Sequence, residues 1–324
     1  MSNPLLSVII PTYNRPQLLQ RAVQSALAQA ADLSENSLEI VVVDDGSPVP
    51  VTVPEQGNLR LVRLPENRGG AAARNEGAKV AQGRYITYLD DDDQLLPSMA
   101  TTVLQALQET KLPQPVAALT GIEVVNSSGQ VVKTRLPPTL PKGSHYFLEE
   151  IDPEKSFLTK QTLVVERAVL LSIGGFDQTF RSRVHSELFL RLNPACSLLG
   201  LPMVTYQLAA HEGPRVSRDP ALRQASFEQL IEKHRVQFEA HPQQFSRFVY
   251  QHALVCLRMN QTKAAIEALL LATRIHPSRS LMLIARDIRH KLRRSLSKPG
   301  PQPTKASHVR IRASAENASA SKTL

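Results

Sequence analysis

Four consecutive aspartates, Asp90 to Asp93, close a short apolar run, Tyr85 to Leu89. The run is β-branched and aromatic and reads as a buried strand. Adjacent carboxylates repel one another and resist burial, so the cluster needs a neutralising partner. Water or a divalent cation would serve. Mg²⁺ and Mn²⁺ take oxygen ligands and commonly bridge one or two carboxylates to the phosphates of a substrate. Open α/β sheets bind their ligands beyond the carboxyl ends of their strands, which is where this cluster falls. The plainer alternative is a solvated acidic turn capping the helix expected to begin at Pro97.

The elements that must hold these residues can be read outward from them. Leu6 to Ile10 is a continuous apolar run, broken by Pro11-Thr-Tyr-Asn-Arg-Pro16. Gln17 to Ala30 has helical spacing, with Leu18, Leu19, Ala22, Ala26 and Leu27 along one face. Glu39 to Val43 is a second buried strand and ends in Asp44-Asp45-Gly46-Ser47. Strand, helix and strand in succession predict a βαβ unit with parallel strands. Leu59 to Leu64 predicts a third strand, Ala71 to Ala81 an alanine-rich helix, and Tyr85 to Leu89 the fourth strand. A helix follows from Pro97 to about Thr110. Val116 to Val125 and Val131 to Arg135 predict a hairpin around Asn126-Ser-Ser-Gly129. Further strands are expected at Leu163 to Val165 and Pro202 to Leu208, with a helical turn from Ala168 to Ile173 and a buried helix through Leu188, Phe189, Leu190 and Leu192. The first strand is followed by neither G-x-G-x-x-G nor G-x-x-x-x-G-K-[ST], which argues against a nicotinamide dehydrogenase and a P-loop NTPase.

The chain has 324 residues, is 42% hydrophobic and carries a formal charge of +9. The charge is not spread evenly. From Arg286 onward there are ten Lys/Arg and two acids, so the tail accounts for +8 and the body is near neutral. That distribution argues against a nucleic-acid-binding body. No stretch approaches the roughly 18 apolar residues of a spanning helix. The opening residues lack a basic n-region and a small-residue cleavage site. Cys196 and Cys256 form no metal or redox spacing, and a cytoplasmic location is expected.

Five motifs occur in order: Val8-Ile-Ile-Pro-Thr-Tyr-Asn-Arg15, Val41-Val-Val-Asp-Asp-Gly-Ser47, Asn67-Arg-Gly-Gly-Ala-Ala-Ala-Arg-Asn-Glu-Gly77, Tyr88-Leu-Asp-Asp-Asp-Asp93 and Gly174-Gly-Phe-Asp177. Together they resemble the family 2 glycosyltransferases of the GT-A fold, over roughly residues 5–217. The resemblance implies a Rossmann-like mixed sheet flanked by helices. It also implies inverting transfer of a sugar from a nucleotide-diphosphate donor, usually a UDP-sugar, to a glycan or lipid-linked acceptor, with Mn²⁺ or Mg²⁺. Carried over, Pro11, Thr12 and Tyr13 would line the nucleoside pocket and Asp44 would accept a hydrogen bond from the base. Arg74 would lie near the donor. Asp90 and Asp92 match the family's Asp-x-Asp. The extra acids leave the register open by one residue, so that Asp91 joins the donor site and either Asp92 or Asp93 holds the metal. His211 matches a later histidine near the metal and diphosphate, and Arg215 could assist at the phosphates.

The general base departs from the family pattern. Where an acidic pair is usual after Gly-Gly-Phe-Asp, this chain has Val184 and His185. Histidine titrates near neutrality and can accept a proton, and Glu187 is the nearest alternative. The departure also admits a protein that binds nucleotide sugar without turning it over. The processive synthases of the family carry Gln-x-x-Arg-Trp and spanning helices. This chain has no Trp, so addition of single sugars is expected.

Three segments are therefore expected: a catalytic domain over 1–217, a C-terminal α-helical region over 218–296, and a basic disordered tail over 297–324, poor in apolar residues. Ala264 to Pro277 resembles the second helix of a tetratricopeptide-type hairpin, but a single pair cannot build a solenoid. Such helices would pack on the catalytic domain or offer a partner surface. The basic segment Arg286 to Lys298 could rest peripherally on an anionic membrane at about 1 kcal/mol per charge.

Overall fold

A computed structural model describes residues 3–144, 159–209 and 219–296. One nine-stranded sheet contains β1 (Leu6–Thr12), β2 (Leu38–Asp44), β3 (Leu59–Arg63), β4 (Tyr85–Tyr88), β5 (Gln94–Leu95), β6 (Val116–Val125), β7 (Val131–Arg135), β8 (Leu163–Glu166) and β9 (Ser197–Ala209). Its order is β3-β2-β1-β4-β8-β6-β9-β5, with β7 paired to β6. The first four strands run parallel, as their apolar runs predict. Antiparallel β8 then joins β4 to β6.

The helices that precede β9 are α1 (Pro16–Leu27), α2 (Gly70–Val80), α3 (Met99–Glu109), α4 (Arg167–Ser172) and α5 (Val184–Ala195). They form two outer layers, because successive strand residues face opposite ways. Val8 and Ile10 of β1 pack with Leu19, Val23 and Ala26 of α1 and with Val103 and Leu107 of α3. Ile9 between them belongs to the other layer, with Ala73 and Ala78 of α2 and Leu188, Phe189 and Leu192 of α5.

Two expectations shift. The helix after the aspartates begins at Met99, not Pro97. The chain stays extended longer because β5 pairs with β9 and the Leu96 amide donates to the Thr205 carbonyl. The strand expected from Pro202 begins at Ser197 and runs thirteen residues. Long pairing with β6, broken in register around Gly121, carries it through Gly200 and Pro202.

Helices α6 (Pro220–Lys233), α7 (Arg235–Glu239), α8 (Pro242–Arg258), α9 (Thr262–Ile275) and α10 (Pro277–Leu296) complete the described chain. A compact unit runs to Leu281 and so contains α6 to α9 together with the sheet; a second unit starts at Met282, and its described residues are helical. Within the first unit, Arg183 lies over the rings of Phe227 and Phe248, at 5.3 and 5.4 Å from their centres. Ser182 donates its amide to Ser226 Oγ, and Lys233 Nζ reaches Asp177 and Glu187, each at 2.6 Å. Helices α6 and α8 are thus fastened to the segment leading into α5. No helix among the described residues is long and apolar enough to cross a membrane. Cys196 and Cys256 are both buried and free.

Candidate functional site

An open cavity of about 530 Å³ lies beyond the carboxyl ends of β1, β2 and β4. Each strand supplies part of its wall where regular pairing stops. Pro11, Thr12 and Tyr13 come from the end of β1, Asp45 from the turn after β2, and Asp90, Asp91 and Asp92 from the turn after β4. Asn67, Gly69, Gly70 and Arg74 come from the entry into α2.

The loop into α2 is set by Asp45, whose carboxylate accepts from the Arg68 amide at 2.9 Å and the Gly69 amide at 2.8 Å. Gly46 lets it do so. Its φ is +71°, and a Cβ there would stand 2.4 Å from the Glu66 carbonyl carbon. On the far side of α2, Asn75 exchanges two 2.8 Å hydrogen bonds with the backbone of Phe176, and Phe176 packs edge-on against Tyr88 at the end of β4. The Asn67–Gly77 and Gly174–Asp177 motifs are thus halves of one contact.

The four aspartates have four different environments. Asp90 accepts from Lys160 Nζ at 2.7 Å to both oxygens and from Arg74 Nη2 at 2.5 Å. Burial pushes its pKa up, but Lys160 and Arg74 outweigh that and hold it far below the usual carboxylate range. Asp91 accepts from Thr12 Oγ1 at 2.8 Å and from Arg15 Nη1 at 3.2 Å; burial raises its pKa against those two partners. Asp92 accepts from the same Arg15 nitrogen at 3.1 Å. Asp93 is 4% exposed, accepts from Tyr206 Oη at 2.8 Å and the Ala209 amide at 3.1 Å, and does not line the cavity. Burial, with the charges of Asp90 and Asp92, pushes its pKa up to about 8.

A second cavity, of about 580 Å³, adjoins the first through Gly69, Gly70 and Arg74. His185, in the first turn of α5, lines it with Lys160. The ring's Nδ1 lies 3.3 Å from Thr159 Oγ1. Burial, then the charges of Lys160 and Arg74, lower its pKa to about 3, so the ring is neutral and only weakly basic.

Of the residues singled out from sequence, Pro11, Thr12, Tyr13, Arg74, Asp90, Asp91 and Asp92 meet on the first cavity, and His185 on its neighbour. Three others do not reach them. Asp44 is buried beneath the turn, its carboxylate taken by the Ser47 amide and by Arg63 Nη1, its partner across the β2–β3 ladder; Asp45 faces the cavity instead. Asp93 turns to Tyr206. Glu187, 0% exposed, is enclosed by Arg191, Lys233 and His234, which hold its pKa far down despite burial. His211 and Arg215 lie outside the described residues. Four participants were given no role from sequence: Arg15 and Asp45, which lie inside quoted motifs, and Lys160 and Tyr206, which lie in none. Lys160 meets Asp90 from 70 residues away, and no local pattern marks such a pair.

The residues facing the cavity fit a divalent cation in the mode that uses one or two carboxylates plus substrate phosphates. Asp91 and Asp92 present oxygens to a shared point, and Arg15, 47% exposed, already places a positive charge there. No group of three or more candidate ligands is assembled among the described residues.

A sheet of this order, with an acidic cavity where its parallel strands end, is of the GT-A class. The structure is similar to S. aureus TarS 1-349 solved in complex with UDP-GlcNAc, at 21% identity, a TM-score of 0.60, and coverage of 85% of this chain and 82% of that one. Residues 7–159 match the model of Glycosyl transferase family 2. An uncharacterized glycosyltransferase of Haemophilus influenzae is 26% identical over 195 residues, 58% of this chain and 62% of the relative. The putative colanic acid biosynthesis glycosyl transferase WcaA of Escherichia coli is 35% identical over 114 residues, 33% of this chain and 39% of the relative. The chain spans less than two thirds of the length of either relative.

Proposed function

We propose that the protein transfers one sugar at a time from a nucleotide-diphosphate sugar, with UDP the first choice of nucleotide, to a glycan or lipid-linked acceptor with inversion. The observation that carries this reading is the meeting of Thr12, Asp45, Arg74 and Asp90 to Asp92 around one cavity at three parallel strand ends. The UDP-GlcNAc complex of S. aureus TarS supports the choice of donor.

Pro11 and Tyr13 provide the wall for the base, and Arg74 offers guanidinium donors to the diphosphate. Asp91 and Asp92 would hold Mn²⁺ or Mg²⁺, which when bound offsets the charge that builds on the departing diphosphate. Asp90 keeps Arg74 and Lys160 in place between the two cavities. His185, neutral and in the adjoining cavity, takes the proton of the acceptor hydroxyl. The basic segment from Arg286 would bring the enzyme to an anionic membrane surface.

The test is release of UDP, GDP or dTDP from sugar nucleotides with Mn²⁺ and plausible acceptors. Release that depends on Asp92 supports the reading. Donor binding with no release under any condition favours the alternative suggested by His185, a nucleotide-sugar-binding protein without turnover.

A further inference from the structure

The second cavity is cationic. Among the described residues that line it, Arg68, Arg74, Lys160 and Arg181 are positive and none is a carboxylate. Two of these charges are partly offset, since Arg74 and Lys160 share the single carboxylate of Asp90. The other two are not well partnered. Arg68 stands 3.9 Å from Glu76 and 3.5 Å from Gln178, and Arg181 makes no hydrogen bond or ion pair with any described residue. Arg74 adds a buried Nε–H that has no acceptor. An unsatisfied buried donor is costly, and an arriving oxygen acceptor removes that cost.

Guanidinium groups match phosphate oxygens in planar, paired geometry. Cations from three separate places in the chain converge here, which suits the several oxygens of a phosphate group better than a neutral sugar. Phe180, Val184 and Leu222 complete the wall with apolar surface. His185 borders the same space. Arg68 and Arg181 do not line the first cavity, so a donor there leaves them free.

Resting on the proposed sugar transfer, we infer that this cavity receives the acceptor and that the acceptor carries a phosphate group, held by Arg68 and Arg181 beside the hydroxyl that faces His185. The donor cavity and the phosphate cavity then meet at Arg74.

Titration calorimetry on the full chain tests this in two stages. UDP with Mn²⁺ is titrated first; glycerol 1-phosphate and, in parallel, glycerol are then titrated into the UDP-saturated protein. The ester is expected to bind and glycerol not to. The double variant Arg68→Ala, Arg181→Ala is expected to weaken the ester at least tenfold while moving UDP affinity less than twofold; intact UDP binding also reports that the variant folds. Ester binding no stronger than glycerol binding, or unaffected by the double variant, overturns the inference and leaves the donor site standing. Failure of UDP to bind overturns the donor reading instead, and the ester comparison run without UDP still judges the second cavity. Vesicles of phosphatidylcholine with a few per cent polyprenyl monophosphate separate the sources. Cosedimentation lost in the double variant supports a lipid-linked phosphate; ester binding without cosedimentation supports a water-soluble phosphate polymer.

Discussion

The Asn75 side chain both donates to and accepts from the backbone of Phe176, at 2.8 Å in each direction, across 101 residues of sequence. Gly175, at φ +67°, leaves the room: a Cβ on it would sit 2.5 Å from Asn75 Oδ1. Through this contact the helix that carries Arg74 is keyed to the turn that precedes α5 and His185. Asn75→Ala orphans a buried amide and a buried carbonyl, and we expect a loss of about 2–4 kcal/mol in chemical denaturation. A change under 0.5 kcal/mol would show that the turn holds without it.

Glu187 and His185 separate stability from chemistry. Glu187→Gln removes the buried carboxylate that faces Arg191 and leaves Lys233 with Asp177 alone. It should cost roughly 3–5 kcal/mol of stability and leave donor affinity intact. His185→Ala should keep the fold and the UDP affinity but lower turnover by about 100-fold or more, the scale of a lost general base. Equal turnover in wild type and His185→Ala removes the histidine from the mechanism.

In the proposed metal site, Arg15 would compete with the cation for Asp91 and Asp92. Exposed ion pairs of this kind are worth about 0.2–1 kcal/mol. Arg15→Ala should therefore tighten Mn²⁺ binding about two- to fivefold, read by the loss of the free Mn²⁺ electron paramagnetic resonance signal. Asp92→Asn should weaken it, and Asp93→Asn should not, because Asp93 is turned to Tyr206. Equal Mn²⁺ binding by wild type and Asp92→Asn removes that carboxylate from the metal site.

Acid should loosen the packing of α8 on α6 through His252. The ring stacks on Phe227 with Arg183 at its Nδ1, and burial, then Arg183 and Arg223, lower its pKa to about 3 from the ordinary 6.5. The unfolded chain therefore binds more protons between those values. The stability from the neutral ring is complete above about pH 6.5 and declines as the pH falls toward 3. The gap in stability between wild type and His252→Gln should narrow over that window; a gap that stays constant with pH places the lost stability elsewhere.

What could be read from the sequence was what is local. Apolar runs placed the parallel strands, and the motif glycines and acids marked their ends, because strand period and turn chemistry act within a few residues. Facing was harder to read. Asp44 and Asp45 are neighbours, yet only one reaches the cavity, and that is decided by the pairing of Arg63 opposite Asp44. Glu187 looks available on its helix until α6 delivers Lys233 to it from 46 residues away. Lys160 entered no motif at all, and its meaning comes only from its contact with Asp90.

The fastening of α6 and α8 onto the stretch 177–187 has a practical corollary for anyone trimming the gene. A fragment stopped at residue 217 would carry every recognisable motif, yet it would strip the aromatic sandwich from Arg183 and the contacts of Lys233 and His234 from Glu187. The shortest piece worth expressing extends past Phe248, so the folded unit around the candidate site is longer than its signature.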